Sequence, residues 1–245
     1  MKIIINGAAG RMGKVLSETI SESKHTVSAL VDRAYINGEE PFYSSLSAFN
    51  GEADVIIDFS SHLATEEVTK YATERKIPLV IASTGQTEEE MKIINEASKE
   101  IPLFKSANMS VGIAFLAEVS RVAAALFGDA DLEIIEKHHN KKADAPSGTA
   151  LLIADKIKDV RPELEYNMGR SGYGVREKNE LGIHAIRAGN IVGEHEVIVN
   201  TGTQQISLKH EAFDRKVFAE GAVSAAEFIS DKTAGLYSMS DLVRI

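Results

Sequence analysis

A two-domain α/β fold is what the sequence predicts: an N-terminal domain on a parallel sheet, then an α+β C-terminal domain on a mainly antiparallel sheet. Three observations predict it. From Lys2 to Ser106, short apolar runs alternate with segments of helical period, which calls for crossover connections between parallel strands. After about residue 108 that rhythm stops. Three alternating runs then come close together, separated by short turns such as Gly189-Asn190 and Gly202-Thr203, the pattern of antiparallel strands.

Each element has its own reason. KIII (Lys2 to Ile5) is a short apolar run, and Val15, Leu16, Thr19 and Ile20 recur behind it at helical spacing. TVSALV (Thr26 to Val31) is a second strand. ADVIIDFS (Ala53 to Ser60), IPLVIAS (Ile77 to Ser83) and IPLFKS (Ile101 to Ser106) read as further strands, with helices at Leu63 to Arg75 and Thr87 to Glu100 between them. A long apolar helix, Gly112 to Phe127, opens the second domain, and DLEIIEKHH (Asp131 to His139) alternates as a strand does. A helix follows from about Gly148 to Lys158. Arg161 to Glu180 is polar and glycine-containing and reads as loop. GIHAIRAG, GEHEVIVNT and QQISLKHE are the three close runs. The last helix, Arg215 to Ile229, carries a broad apolar stripe that can pack back on the first domain. The expected division is therefore residues 1–108 plus 215–245, a dinucleotide-binding domain, and 109–214, a substrate-binding and oligomerisation domain.

Composition narrows the function classes. The 245 residues carry a net charge of −9, which argues against nucleic acid as a partner, because phosphate binding needs a basic surface. There is no cysteine, hence no disulfide framework and no thiolate chemistry. The apolar run at Ile3 to Ile5 is too short for a signal-peptide core. No run approaches the length that spans a bilayer, so no membrane partner is expected and a cytoplasmic protein is.

INGAAGRMG lies between the first strand and the first helix. Glycines there allow a tight turn and a close approach to a pyrophosphate, and the helix N-terminus adds unpaired N–H groups and a positive dipole end. Ala9 stands where the usual fingerprint has its second glycine. An ordinary strand-to-helix turn has the same composition. Asp32 and Arg33, at the end of the second strand, favour the Rossmann-like reading. A carboxylate there can bind the adenosine ribose hydroxyls, and the arginine can meet adenine or a 2′-phosphate. NADH and NADPH are both compatible. Two later turns, ASTG (Ala82 to Gly85) and SANMS (Ser106 to Ser110), fall at strand C-terminal ends, where ligands collect in such sheets.

The other unusual stretch is EKHHNKKADAPSGTALL, Glu136 to Leu152, basic in an acidic chain. His138 and His139 are adjacent, so on a strand they point to opposite faces, and no metal-binding spacing accompanies them; no metal is expected. Ser147 lacks the surroundings of a hydrolase nucleophile. Pro146-Ser147-Gly148-Thr149 reads instead as a helix start with Ser147 as N-cap, whose first N–H groups form a site for a carboxylate. Lys141 and Lys142 add charge, and a histidine and a lysine can both donate protons. A solvated basic loop stands as the plainer alternative. Taken together, the residues suggest hydride transfer to a small anionic substrate.

EKHHNKKADAPSGTA closely resembles the E-x-HH-x-x-K-x-DAPSGTA signature of the dihydrodipicolinate reductase family. GAAGRMG, the DFS of Asp58 to Ser60, ANMSVG, RAGNIVGEHEV and FAEGAVSAAEFI extend the resemblance over the whole chain. It departs at Ala82-Ser83-Thr84-Gly85, where many members have GTTG, and at Met109, where many have phenylalanine. The resemblance implies reduction of a cyclic dicarboxylate imine by NADH or NADPH on the diaminopimelate route to lysine, in a homotetramer. By the same resemblance His138 is the proton donor/acceptor and Lys142 the catalytic lysine, with His139, Gly148 and Thr149 on a substrate carboxylate. Gly7, Ala8, Ala9, Gly10, Arg11 and Met12, with Asp32 and Arg33, Ala82, Ser83 and Thr84, and Ser106, Ala107, Asn108 and Met109, would line the cofactor.

Overall fold

The computed structural model describes residues 1–37 and 39–244. Gly38 and Ile245, which fall within the expected first domain, lie outside the described residues. The chain forms two compact units, Met1–Ser110 with Arg215–Arg244, and Val111–Asp214.

The first unit is built on the alternation seen in the sequence. Its elements are β1 (Lys2–Asn6), α1 (Arg11–Ser21), β2 (Thr26–Val31), β3 (Phe42–Tyr43), β4 (Val55–Asp58), α2 (Thr65–Arg75), β5 (Leu79–Ile81), α3 (Glu88–Ala97) and β6 (Pro102–Lys105). Ile3, Ile4 and Ile5 expose no surface, as a parallel strand covered on both faces requires. Each such side chain contributes about 1.5–3 kcal/mol of burial. Thr87 begins α3 with a reciprocal capping box to Glu90.

The second unit opens with α4 (Val111–Leu126) and continues through β7 (Asp131–His138), α5 (Gly148–Lys158), β8 (Glu165–Asn167), β9 (Glu180–Arg187), β10 (Gly193–Asn200) and β11 (Gln205–Ala212). Its sheet order is β11-β10-β7-β9-β8. β10 runs antiparallel to β11 and β7, whereas β7 with β9 and β9 with β8 are parallel. The sheet is mixed where the three close runs suggested mainly antiparallel pairing. The turn at Gly189-Asn190 does not close a hairpin, because β7 lies between β9 and β10. β7 takes the centre since Leu132, Ile134, Glu136 and His138 are all buried along one face. Leu132 and Ile134 meet Ala150, Ile153 and Ile157 of α5 and Ile113 and Leu116 of α4 in one core. The stretch read as loop, Arg161 to Glu180, contains β8, whose three residues are too few to show a period-two pattern.

The chain then returns through α6 (Lys216–Ile229), β12 (Gly235–Tyr237) and α7 (Met239–Leu242). α6 packs on α1 and on β4, β5 and β6. At Gly221 a Cβ would stand 1.7 Å from the carbonyl oxygen of Met109, so only glycine permits this approach. β12 pairs with β6 and completes a seven-stranded parallel sheet, order β12-β6-β5-β4-β1-β2-β3. Successive strands step outward from β1 in one direction and from β4 in the other. The C-terminal ends of β1 and β4 are thus the topological switch point, where open α/β sheets bind ligands. No helix of the described residues is long and apolar enough to cross a membrane.

Candidate active site

At the switch point of the first unit, Gly7 adopts a left-handed φ of 82°. Its N–H and that of Ala8 both donate to Val31 O, at 2.9 and 3.1 Å. A Cβ on Gly7 would come within 2.7 Å of the Ser60 backbone, and one on Gly13 within 2.3 Å of Gly7 O. Gly13 therefore lets α1 begin directly against the turn. Gly10 is the N-cap and contributes no side-chain bond, so the first-turn amides, those of Arg11 and Met12 among them, have no intrahelical partner.

Asp32 holds this turn to the end of β2. Its carboxylate accepts from Ala9 N at 3.1 Å and from Ala34 N at 3.0 Å, one bond to each oxygen, which leaves acceptor capacity on both. A cavity of ≈ 350 Å³ is lined by Gly7, Gly10, Asp32 and Arg33 together with Phe59, Ser60 and others. The two later turns stand at neighbouring strand ends. Ala82 N donates to Asp58 O, and Thr84 and Ala107 are exposed. Ser106 Oγ donates to Asn108 O at 2.6 Å, which closes the turn. Met109 and Ala8 are buried.

Beneath these turns lies a polar chain that the sequence did not single out. Asp58, 1% exposed at the end of β4, accepts from Asn6 Nδ2 at 2.8 Å, Ser60 Oγ at 2.5 Å and Ser83 Oγ at 2.9 Å. Burial pushes its carboxyl up, against those bonds. Gln86 Nε2 donates to Ser83 Oγ, and Lys105 Nζ donates to Gln86 Oε1 at 2.8 Å. Burial pulls the Lys105 ammonium down and the Asp58 charge opposes that pull. DFS was part of the family resemblance, and its aspartate at a strand end was the one available signal.

In the second unit the basic loop is organised around Glu136, which exposes no surface. Oε2 meets His138 Nδ1 at 2.6 Å, Oε1 accepts from Ser147 N at 2.9 Å, and the Arg187 guanidinium bonds both oxygens at 2.7 and 2.8 Å. Burial alone would push this carboxyl up. The bonds from His138, Arg187 and Ser147 outweigh it and leave the carboxyl at about 2. Arg187 also donates to Asp144 O at 2.6 Å. Strand alternation, which puts Glu136 and His138 on the apolar face of β7, was the sequence signal for this pair.

Ser147 caps α5 as expected, accepting from Ala150 N. Its hydroxyl also meets His195 Nε2 at 3.2 Å. The His195 ring stands edge-on to the ring of His138, centroids 5.2 Å apart. Burial first, then the charge of His138, brings His195 down to about 3, so it is neutral. Lys142 Nζ pairs with Asp144 at 2.9 Å, and Asp144 also takes a bond from the Gly148 N–H. His138, Lys142 and Gly148 are thus brought into one network. His139 is half-buried on the other side of the strand, and Thr149 follows in the first turn of α5. The buried atoms His139 Nδ1, Arg187 Nε and His195 Nδ1 have no hydrogen-bond partner among the described residues, the condition of polar atoms that receive a ligand or water. Among the described residues no group of three or more His, Asp or Glu is placed to hold a metal ion.

A glycine turn at the switch point of a parallel sheet, beside a carboxylate at the end of the next strand, is the arrangement of Rossmann-like oxidoreductases. Comparison with known proteins sharpens this. The family model described as dihydrodipicolinate reductase, N-terminus, matches residues 1–109, and that described as dihydrodipicolinate reductase, C-terminus, matches 112–243. The chain is 49% identical to the 4-hydroxy-tetrahydrodipicolinate reductase of Caldanaerobacter subterraneus subsp. tengcongensis, covering 100% of this chain and 98% of that one. It is 45% identical to the enzyme of that name from Clostridium tetani, covering 98% and 95%. The fold matches dipicolinate-bound dihydrodipicolinate reductase from Paenisporosarcina sp. TG-14 with a TM-score of 0.85 over 99% of each chain, at 21% identity. A probable dehydrogenase from Thermotoga maritima shares the fold at a TM-score of 0.65 and 12% identity, over 99% of this chain and 92% of that one. The protein belongs to the dihydrodipicolinate reductase family.

Proposed function

We propose that the protein reduces 4-hydroxy-tetrahydrodipicolinate to tetrahydrodipicolinate with NADH or NADPH, in the diaminopimelate route to lysine. The observation that carries this reading is the Glu136–His138–Arg187–Ser147 network at the head of α5, in which Glu136, His138 and Ser147 belong to the signature stretch and Arg187 opens the matching RAGNIVGEHEV stretch.

The residues of the first unit fit a nicotinamide dinucleotide. Gly7 and Gly13 let the turn pack closely against the Ser60 backbone and the start of α1, whose first amides are offered to a pyrophosphate, and Asp32 has acceptors for ribose hydroxyls. Arg33, exposed at the same cavity, suits a 2′-phosphate. Either nucleotide can therefore be held. Bound there, the reduced nicotinamide supplies hydride to a carbon of the substrate ring.

The second unit handles the anion and the proton. The net change replaces the 4-hydroxyl with hydrogen, and the hydroxyl departs as water with one proton. Loss of the hydroxyl with a ring proton first leaves a C=C conjugated to the ring C=N; hydride arriving at the carbon that bore the hydroxyl then pushes electrons toward nitrogen, and a positioned acid that returns the proton lowers the barrier. His138 and Lys142 are the proton-handling groups. His139 and the N–H groups of Gly148 and Thr149 hold a carboxylate, helped by the helix N-terminus. Ala82, Ser83 and Thr84, with Ser106 to Met109, flank the nicotinamide.

The deciding experiment supplies the product of dihydrodipicolinate synthase and follows NADH and NADPH oxidation in parallel. Turnover is expected, and its absence with both nucleotides sinks the reading. Lys142→Ala should lower kcat by roughly 10²-fold or more while leaving nucleotide affinity within about twofold; equal losses in both would refute its role. The protein is read as a cytoplasmic homotetramer. The face of the mixed sheet away from α4 and α5 carries the partly exposed Ile135, Ile186 and Ile198, apolar surface suited to a subunit contact. Light scattering in solution checks the assembly.

A further inference from the structure

Four hydrogen bonds from three partners converge on the buried Glu136 carboxylate, and each partner leads to a different part of the site. His138 is the proton carrier of the reading above. Ser147 N begins the helix that presents Gly148 and Thr149, and Arg187 continues to Asp144 O in the segment that carries Lys142. A carboxylate held at about 2 is ionised throughout the neutral range. It can only accept hydrogen bonds, so the group facing it must be a donor.

We infer that Glu136, clamped by Arg187, is a positioning residue that holds neutral His138 as the Nδ1–H tautomer and turns its Nε2 to the substrate. Geometry on the other side of the ring agrees. Nε2 faces Gly193 of β10, where a Cβ would stand only 3.2 Å away. Glycine there keeps the space at Nε2 clear. On protonation the new proton goes to Nε2, since Nδ1 already carries one. Nε2–H is then the atom that donates. Arg187 does for Glu136 what Glu136 does for His138: its two bonds fix the plane of the carboxylate. The same clamp sets the distance between the His138 strand and the Lys142 segment, so both proton-handling groups are placed by one buried ion pair.

The assignment rests on the reading of His138 as a proton carrier, but its test does not need turnover. ¹⁵N-histidine NMR of the whole protein, with the His138 signals assigned by loss in His138→Gln, reports the tautomer directly. Neutral His138 should show a protonated Nδ1 and an unprotonated Nε2 in the wild-type protein. A protonated Nε2 in the neutral ring overturns the inference whatever the enzyme reduces. In Glu136→Gln the side-chain amide can donate to Nδ1, and the tautomer should shift toward Nε2–H. With the coupled assay, kcat should fall roughly 10- to 100-fold and its pH profile should move, while KM for the nucleotide stays within about twofold. An unchanged tautomer, or equal losses in kcat and nucleotide KM, means that Glu136 is merely structural. Should Glu136→Gln not fold, the wild-type tautomer still decides.

Discussion

Asp144 shows how a single residue can be read for its sign. It pairs with Lys142, read as a proton-handling group, and takes the Gly148 N–H, read as a donor to a substrate carboxylate, so its charge competes with the substrate's. The side chain is 56% exposed, and so free to yield. Asp144→Asn is therefore expected to tighten binding of a dicarboxylate such as dipicolinate by about two- to fivefold, the worth of one partly exposed charge. Calorimetric titration checks this, and weaker binding would show that Asp144 supports the site instead of competing with it. Arg187 has the opposite character. Removing it in Arg187→Met leaves a fully buried carboxylate short of two bonds, which should cost about 3 kcal/mol in a denaturant titration. Glu136 itself was within sight of the sequence, since it sits two residues before His138 on an alternating strand. Arg187 and His195 were not, because nothing in a linear chain shows that β9 and β10 flank β7.

At the scale of elements, two helix starts carry the proposed function and each depends on a small residue. Gly13→Ala would place a methyl 2.3 Å from Gly7 O, and backbone cannot give way as a side-chain tip does. The turn must open, so thermal stability should fall and nucleotide affinity should fall by an order of magnitude or more; a melting curve and a fluorescence titration with NADPH check the two. Ser147→Ala removes the cap of α5 and its contact with His195. About 1 kcal/mol of stability should be lost. Both starts were legible because glycine spacing and the PSGT cluster are local signals. β3, β8 and β12, of two or three residues each, were not, because their strand character comes from the neighbour they extend.

The whole molecule should lose stability on acidification, and the sign follows from two buried groups. His195 titrates near 3 in the fold against 6.5 ordinarily, so the unfolded chain takes up a proton first. Its share of stability is complete above 6.5 and declines as pH falls toward 3. Glu136, at about 2 against 4.5, adds a second decline between 4.5 and 2. Each contributes a slope of up to about 1.4 kcal/mol per pH unit. Urea midpoints at pH 7 and pH 5 should differ in the wild-type protein and differ less in His195→Asn. Equal differences would place the acid sensitivity elsewhere.

By itself the sequence determined the alternation that builds the parallel sheet, the glycine turn at its head, the cap of α5 and, through a long signature, the family. These are all encoded by neighbours within one turn, one strand or one motif. Only the tertiary structure decided that the second sheet is mixed, that β12 closes the first, and that Asp58 reaches Lys105 while Glu136 joins His138 to Arg187 and Ser147. Strand order and buried charge pairing depend on which distant surfaces bury each other, and the period of a chain records that a face is buried without recording against what.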